Sequence, residues 1–151
     1  MKRDFNIRFD DVELIGGAEN FLEDSKITQF ILRGNNTLLS LNSMFKGCSN
    51  LHTVDGSFNL KDIPSIASLF EGCSSLIDMP VLICNGSLNM DNAFKNCTLL
   101  PTLKFENTTD LFLESAISSF EGCTYLDGLE FYGTTSKDSM NMLIRLLNPE
   151  G

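Results

Sequence analysis

Apolar residues recur along the chain with a period of 24 to 26 residues, which is also the spacing of four of its cysteines. Each of these cysteines follows a Phe by three positions and precedes a Leu by three, and a further apolar residue stands three positions beyond the Leu. A fainter copy comes first, with Phe21 in the Phe position and Asp24 in the Cys position. A period of this length is typical of repeats that stack into a solenoid. The aligned blocks are 45–51, 70–76, 94–100 and 120–126.

Two local patterns alternate within each repeat. Before the Phe, apolar residues such as Leu41, Met44 and Phe45 have the spacing of a helix face, and Gly47 supplies the left-handed conformation that ends a helix. After the Leu, apolar and polar residues alternate, as expected for a half-buried strand. We therefore predict one short helix and one short parallel strand in every repeat. The predicted strands lie near 5–9, 29–33, 53–57, 78–82, 102–106 and 128–132.

The two ends of the chain are predicted to close a single domain that spans 1–151. An alternating segment within 1–19 supplies a capping strand, and the repeats occupy about 20–132. In the segment 134–151, Ser136 or Ser139 can cap a helix that covers the open end of the last repeat. The face of this helix is predicted to carry Met140, Leu143, Ile144 and Leu147.

The Gly-Cys-Ser-Ser-Leu sequence at 72–76 resembles, residue for residue, the motif of the Cys-containing leucine-rich repeats of the BspA-like class. Residues 20–132 carry the resemblance, although Asn96 replaces the Gly and the segment 107–116 is longer. The resemblance implies an α/β solenoid with a parallel sheet on one face and short helices on the other. It also implies a binding scaffold, as in bacterial surface adhesins and in some protist surface and phage-associated proteins, rather than an enzyme.

The charge of the chain narrows the classes of partner. It has 11 Lys and Arg against 20 Asp and Glu, a net charge of −9. Without a basic cluster we expect no nucleic-acid partner and no adsorption to an anionic membrane. No apolar run is long enough to span a bilayer, and the acidic N-terminal segment lacks the apolar core of a signal peptide. We therefore expect no membrane insertion and no export by a signal peptide, which leaves the localisation open.

Residues that could support chemistry are few. Cys48 and His52 are four positions apart, but a nucleophile needs an imidazole within hydrogen-bond reach, and the repeat favours a buried thiol. No closely spaced Cys or His pair suits zinc, and no acidic loop suits calcium. Cys84 lies outside the repeat position and is predicted to be the most accessible thiol. We expect no catalytic residue, no metal and no cofactor.

The outward side of the predicted strands is the candidate binding site. If the apolar residue after each Leu points inward, its neighbours point out and form a regular array across the sheet. The array is polar and mostly acidic, with one aromatic anchor, and suits a basic or hydroxyl-rich partner. We call this array the sheet face, and its predicted residues are Thr53, Asp55, Asp78, Leu82, Thr102, Lys104, Glu106, Glu130 and Tyr132.

The sequence thus predicts a non-catalytic module that binds another protein or a surface glycan through the sheet face. The alternative is a structural component of a larger assembly, such as a surface layer or a phage virion. The two hypotheses differ in stoichiometry, because a module stays monomeric in isolation and an assembly component associates.

Overall fold

The chain forms a parallel β-solenoid, in a computed structural model that describes residues 3–56 and 58–147. The chain winds through stacked coils, and every strand pair is parallel and joins successive coils. The predicted repeat solenoid is confirmed at this level. Its elements are β1 (Asn6–Asp10), β2 (Gln29–Arg33), β3 (Thr53–Gly56), β4 (Phe58–Asn59), β5 (Leu82–Asn89), β6 (Thr102–Ser115), β7 (Gly128–Thr135) and α1 (Lys137–Leu147).

The strands form two sheets rather than the continuous sheet of six that the repeats predicted. One sheet has the order β1-β2-β3 and the other the order β4-β5-β6-β7. The strand predicted at 78–82 is wrong, because only an isolated bridge between Asp78 and Thr53 forms there and β5 begins at Leu82. Pro80 explains the difference, since it has no backbone N–H to donate to a ladder.

The short helices predicted on the other face are absent from the described residues, and consecutive tight turns take their place. In one coil the Met44 N–H donates to Leu41 O at 3.1 Å, while the next N–H, of Phe45, donates to Leu69 O of the following coil at 3.0 Å. Ser43 and Gly47 have φ of 59° and 76°, which a helix excludes. We call these stacked turns the turn ribbon, comprising 18–25, 41–48, 66–73, 90–97 and 116–123.

The aligned Phe residues stack through the centre of the solenoid, as the repeat predicted. The ring centroids of Phe45 and Phe70 are 5.2 Å apart, those of Phe70 and Phe94 5.7 Å, and those of Phe94 and Phe120 6.2 Å. All four Phe side chains are buried. The apolar residues three positions after each repeat Leu also belong to the core: Val54, Met79 and Leu103 are buried, and Leu129 is half-buried. The stack joins coils that are far apart in sequence into one core.

The first, fainter copy is shifted by one residue from the predicted alignment. Leu22, not Phe21, takes the buried Phe position, and its N–H donates to Met44 O at 2.9 Å as the later Phe residues do. Asp24 therefore stands in the Gly position, with φ of 60°, and Ser25 stands in the Cys position. Phe21 takes the position of Met44 and Leu69, which are fully buried in later coils, but it is about half exposed because it lies in the first coil.

The C-terminal segment forms the predicted helix, α1, capped by Ser136, whose Oγ accepts the Ser139 N–H at 3.0 Å. Leu143 is buried as predicted, whereas Ile144 is half exposed. The helix meets the far end of β6, where Ser139 Oγ accepts the Leu113 N–H at 3.0 Å. The predicted residues 148–151 of this cap lie outside the described residues.

Replacing Gly56 by Ala is expected to lower the free energy of unfolding by about 3 kcal/mol. Gly56 has φ of 111°, and a Cβ there would overlap the backbone oxygen of Leu32 in the neighbouring strand. Gly86, with φ of 76° and nothing within 4 Å of a built Cβ, is the matched control. Its replacement by Ala should cost only about 1 kcal/mol, and equal losses in urea unfolding would contradict the steric argument.

Candidate functional site

The structure places most of the predicted sheet-face residues on the surface. Thr53 and Thr102 are half-buried. Leu82 is a correction, since it is fully buried and pairs with Phe58 and Phe105 in the core. Because β5 begins after Pro80, its residues with even numbers face inward. The exposed residues are Asp55, Asp78, Lys104, Glu106, Glu130 and Tyr132.

The best-defined part of the sheet face lies on β6 and β7. Lys104 pairs in register with Glu130, and Lys104 Nζ lies 3.9 Å from a carboxylate oxygen of Glu130. In the next exposed row Glu106 pairs with Tyr132, whose side chain is 51% exposed. The ion pair is half exposed and therefore contributes well under about 1 kcal/mol to folding, so both charges remain available to a partner.

Ile83 belongs to the same row, and the sequence analysis missed it. It pairs in register with Glu106 and is half-buried, which gives the row an apolar side chain beside the acidic one. A signal for it exists in the sequence, because Pro80 delays the strand and so exchanges the inward and outward residues of β5. Cys84, predicted to be the most accessible thiol, is buried for the same reason, with 1% of its surface exposed.

The first sheet carries a second, separate set of charges. Arg33 lies 3.2 Å from a carboxylate oxygen of Asp55, and Arg8 lies 3.1 Å from one of Asp10. The other Asp55 oxygen accepts the Gly56 N–H at 2.9 Å. Asp55 is therefore held by its own sheet, and β4 rather than β3 pairs with β5. The structure brings together the predicted residues of β6 and β7, but not those of β3 with them.

The repeat cysteines form a ladder of thiols that donate to backbone carbonyls of the preceding coil. Cys73 Sγ lies 3.1 Å from Phe45 O, and Cys97 Sγ lies 3.1 Å from Phe70 O. Cys48 and Cys123 make the same contact with Leu22 O at 3.0 Å and Phe94 O at 2.9 Å. Each of these carbonyl oxygens also accepts an N–H of its own turn. The thiol therefore donates to the second lone pair of the carbonyl oxygen.

These thiols are poor nucleophiles. Burial raises the pKa of Cys48 to about 11, that of Cys84 to about 12, and that of Cys73 well above its usual range. The Nδ1 atom of His52 faces Asn50 O at 3.4 Å, while the Cys48 thiol donates to Leu22 O, so the pair is not arranged for proton transfer. The predicted packing role of the thiols agrees with this geometry.

A groove of about 560 Å³ opens at the corner where the two sheets separate. Asn35, Asn59, Lys61 and Asp62 line it together with the exposed Leu39. The sequence analysis did not find this groove, because its residues come from different coils and share no motif. Its amide and charged groups can hydrogen-bond to hydroxyl groups, but no buried charge or ligand set converges in it.

Neither metal chemistry nor a membrane span is visible among residues 3–56 and 58–147. No group of three or more His, Cys, Asp or Glu side chains in these ranges is placed to hold a metal ion. The helix in the same ranges is too short and too polar to cross a bilayer.

Comparison of the chain with protein-family models, with curated proteins and with solved structures finds no match. The functional argument therefore depends on the surface chemistry of the chain itself. The feature that stands out in that surface is the pair of exposed rows on β6 and β7.

Proposed function

We propose that the protein is a non-catalytic binding module that recognises another protein or a surface glycan through the sheet face. The observation that carries the proposal is the pair of exposed rows, in which Lys104 faces Glu130 and Ile83 and Tyr132 flank Glu106. One strand per coil holds these side chains at fixed spacing, so little conformational entropy of the backbone is lost on binding.

The chemistry of the rows defines the class of partner. Glu106 and Glu130 leave an excess of negative charge beside a single Lys, and Tyr132 offers an aromatic ring with a hydroxyl group. Such a surface attracts a basic or hydroxyl-rich partner, and the aromatic ring can anchor either a side chain or a sugar ring. A polyanion is disfavoured on the same surface.

We further propose that the coils belong to the BspA-like class of leucine-rich repeats. The periodic Phe-x-Gly-Cys block supports this, because the Phe stacks, the Gly position takes a positive φ and the Cys donates to a carbonyl in successive coils. The short helices that the class implies are replaced here by the turn ribbon. An adhesive or scaffolding role follows from this proposal.

Reversing both charges of the Lys104–Glu130 pair and replacing Tyr132 by Ala should weaken partner binding more than tenfold. A photo-crosslinking residue at position 132 would first capture the partner in an extract of the cells that make the protein. Biolayer interferometry of the captured partner would then compare the wild-type chain with the variant.

The turn ribbon, together with the residues directly after its last segment, provides a matched control. Lys95 and Glu121 form an ion pair of the same length, 3.9 Å, and Tyr125 is 64% exposed. Reversing that pair and replacing Tyr125 by Ala should leave binding within about twofold of wild type. If the two triple variants bind equally, or if binding is lost only on altering the terminal segments, the sheet face is not the site.

A further inference from the structure

The stack of coils has a seam between the coil of β2 and the coil of β3. The two coils are joined along β2 and β3, and they are joined again at the turn ribbon, where the Ser43 N–H donates to Ala67 O at 3.0 Å. Between these two places, no backbone group of 34–40 bonds one of 58–64 within the described part of the chain. The groove of about 560 Å³ at the corner of the two sheets lies at this seam, and both segments line it.

The seam begins at Gly34, directly after β2. Gly34 has a φ of 73°, a left-handed conformation that turns the chain out of the line of the strand. The Asn35 N–H then donates to Asp11 Oδ1 at 2.8 Å, and Asn36 Oδ1 accepts the Val12 N–H at 2.8 Å. Both hydrogen bonds join the segment to the first coil rather than to the coil of β3.

One wall of the groove is an open strand edge. Along a strand, the N–H and C=O groups of successive residues point to opposite neighbours. Thr37 uses both of its groups on the first coil, because its N–H donates to Val12 O and its carbonyl oxygen accepts the Leu14 N–H. Asn36 and Leu38 therefore present their backbone N–H and C=O groups to the groove, where no described residue bonds them.

The other wall is the edge of the second sheet. β4 is the first strand in the order β4-β5-β6-β7, so only one of its sides is paired. The Leu60 N–H donates to Ile83 O at 2.7 Å, and Asn59 therefore directs its backbone N–H and C=O groups to the groove. The Lys61 N–H on the same side donates to Asn59 Oδ1 at 3.0 Å. Two open edges thus border the same groove.

The side chains of the groove suit alternating apolar and polar residues. Leu32 and Phe58 are buried and form its apolar floor, while Leu39 stands at its rim with 69% of its surface exposed. Lys61 and Asp62 are exposed beside them, and neither forms an ion pair with another described residue. A ligand with apolar groups on one side and polar groups on the other therefore matches the groove. An extended peptide with alternating residues has this arrangement.

We propose that the groove binds an extended peptide segment of a partner protein by strand addition. The backbone of the peptide bonds the open N–H and C=O groups of Asn36 and Leu38, which gives the β2 coil a neighbour on this side. At about 3.3 Å per residue, the segment 34–39 spans up to about 20 Å, so about six residues of the peptide fit along it. Apolar residues at alternate positions of the peptide pack on Leu39 and on the floor of the groove.

Hexapeptides in which Val alternates with Lys, Glu, Thr or Tyr are the probes, with both ends blocked and one end carrying a dye. Fluorescence anisotropy measures their binding as the protein concentration rises to about 1 mM. At least one member of the set should bind with a dissociation constant of about 0.1 mM or below. If no member binds at about 1 mM, the groove is not a peptide site and the proposal is wrong.

Amide hydrogen exchange locates the bound peptide on the chain. In the free protein, the N–H groups of Asn36 and Leu38 should exchange faster than that of Thr37, which donates to Val12 O. A saturating peptide should slow the exchange of Asn36 and Leu38 at least about fivefold and leave that of Thr37 unchanged. Equally slow exchange at all three positions in the free protein, or no change on binding, would overturn the proposal.

N-methylation of the best-binding peptide separates backbone pairing from side-chain contacts. Methyl groups on alternate backbone nitrogen atoms block one edge of the peptide strand and keep every side chain, and the two possible registers block one edge each. At least one of the two methylated forms should bind about tenfold more weakly than the parent peptide. If both forms bind as the parent does, the peptide is not held by strand addition.

Leu39→Ser should weaken peptide binding at least about fivefold, because the peptide loses an apolar contact at the rim of the groove. Ile15→Ser is the matched control. Ile15 is 92% exposed and occupies in the first coil the position of Leu39, as the bridge between Glu13 and Thr37 shows, but it does not line the groove. Its replacement should leave peptide binding within about twofold of wild type. Equal effects of the two substitutions would contradict the proposed site.

The sheet face is tested separately from the groove. Ile83 borders both surfaces, but Lys104, Glu130 and Tyr132 do not line the groove. The triple variant of these three residues should therefore bind the peptide as the wild type does, so that failure of one proposal leaves the other intact. Cellohexaose is the corresponding glycan probe. If cellohexaose protects the groove amides from exchange and no peptide binds, the groove is a glycan site and the proposal is overturned.

Discussion

Raising the pH from about 8 to about 10 is expected to lower the free energy of unfolding by about 5 kcal/mol. The unfolded thiols ionise with a pKa near 9.0, whereas burial raises the pKa of Cys48 and Cys123 to about 11 and that of Cys84 to about 12 in the folded chain. The pKa values of Cys73 and Cys97 are raised further, again by burial. The folded state keeps its protons at pH values where the unfolded state loses them.

The direction of the effect follows from these raised pKa values. The stabilisation is complete below about pH 9 and is lost as the pH rises toward the folded pKa values, at roughly 1 kcal/mol per thiol by pH 10. Cys123 contributes about as much as Cys48, because burial raises the pKa of both thiols to about 11. Urea unfolding at the two pH values, with a reductant present, measures the loss.

Cys84→Val provides the control for this prediction, because Cys84 stands outside the ladder of thiols and is buried among apolar residues. Between the two pH values, the free energy of unfolding of the variant should fall by about 1 kcal/mol less than that of the wild type, whatever the stability of the variant at neutral pH. A pH dependence that is the same in the variant, or absent in both chains, would show that the thiols are not responsible.

Replacing Phe70 by Ala should cost about 4 kcal/mol of unfolding free energy, since a large side chain is removed from a packed core. Phe70 is fully buried, and its ring stacks between those of Phe45 and Phe94. The Phe70 ring also contacts the Phe58 ring edge-on, with centroids 6.1 Å apart. The cavity left by the substitution would therefore be lined by Phe45, Phe58 and Phe94. Thermal and urea unfolding both report this loss.

Phe112 is the appropriate comparison for that measurement. Its side chain is 55% exposed, so replacing it by Ala should cost under about 1 kcal/mol. Similar losses at positions 70 and 112 would mean that the stacked Phe residues do not form the core of the solenoid.

The repeat and its core could be predicted from the sequence because several apolar positions recur at the same spacing in four copies. The period gave the parallel strands, the stacked Phe residues and the inward position of Val54 and Leu103. It did not distinguish a helix from consecutive turns, since both place Leu41, Met44 and Phe45 on one side. Only the backbone decides, because Ser43 and Gly47 adopt positive φ and alternate N–H groups donate to the next coil.

The candidate site was predicted less completely than the core. The rows on β6 and β7 follow from simple alternation, and the structure places their residues side by side as expected. Leu82 was assigned to the wrong face because the alternation was continued through Pro80, where the ladder is interrupted. The division into two sheets has no local signal, since it depends on how β4 pairs with β5 rather than with β3.

The turn ribbon also determines where this protein can change length during evolution. Along 41–48, N–H groups that close a turn alternate with N–H groups that donate to the next coil. One inserted residue would shift this alternation by one position, so every later hydrogen bond in that ribbon segment would be lost. The five ribbon segments accordingly have the same length, and the differences in period lie elsewhere. The first coil is one residue shorter between Ser25 and Ile27, and the segment 107–116 is longer. Insertions and deletions are therefore confined to the parts of the coils outside the turn ribbon, including the register shift within β6 between Asn107 and Leu111, while whole coils can be duplicated without breaking the alternation.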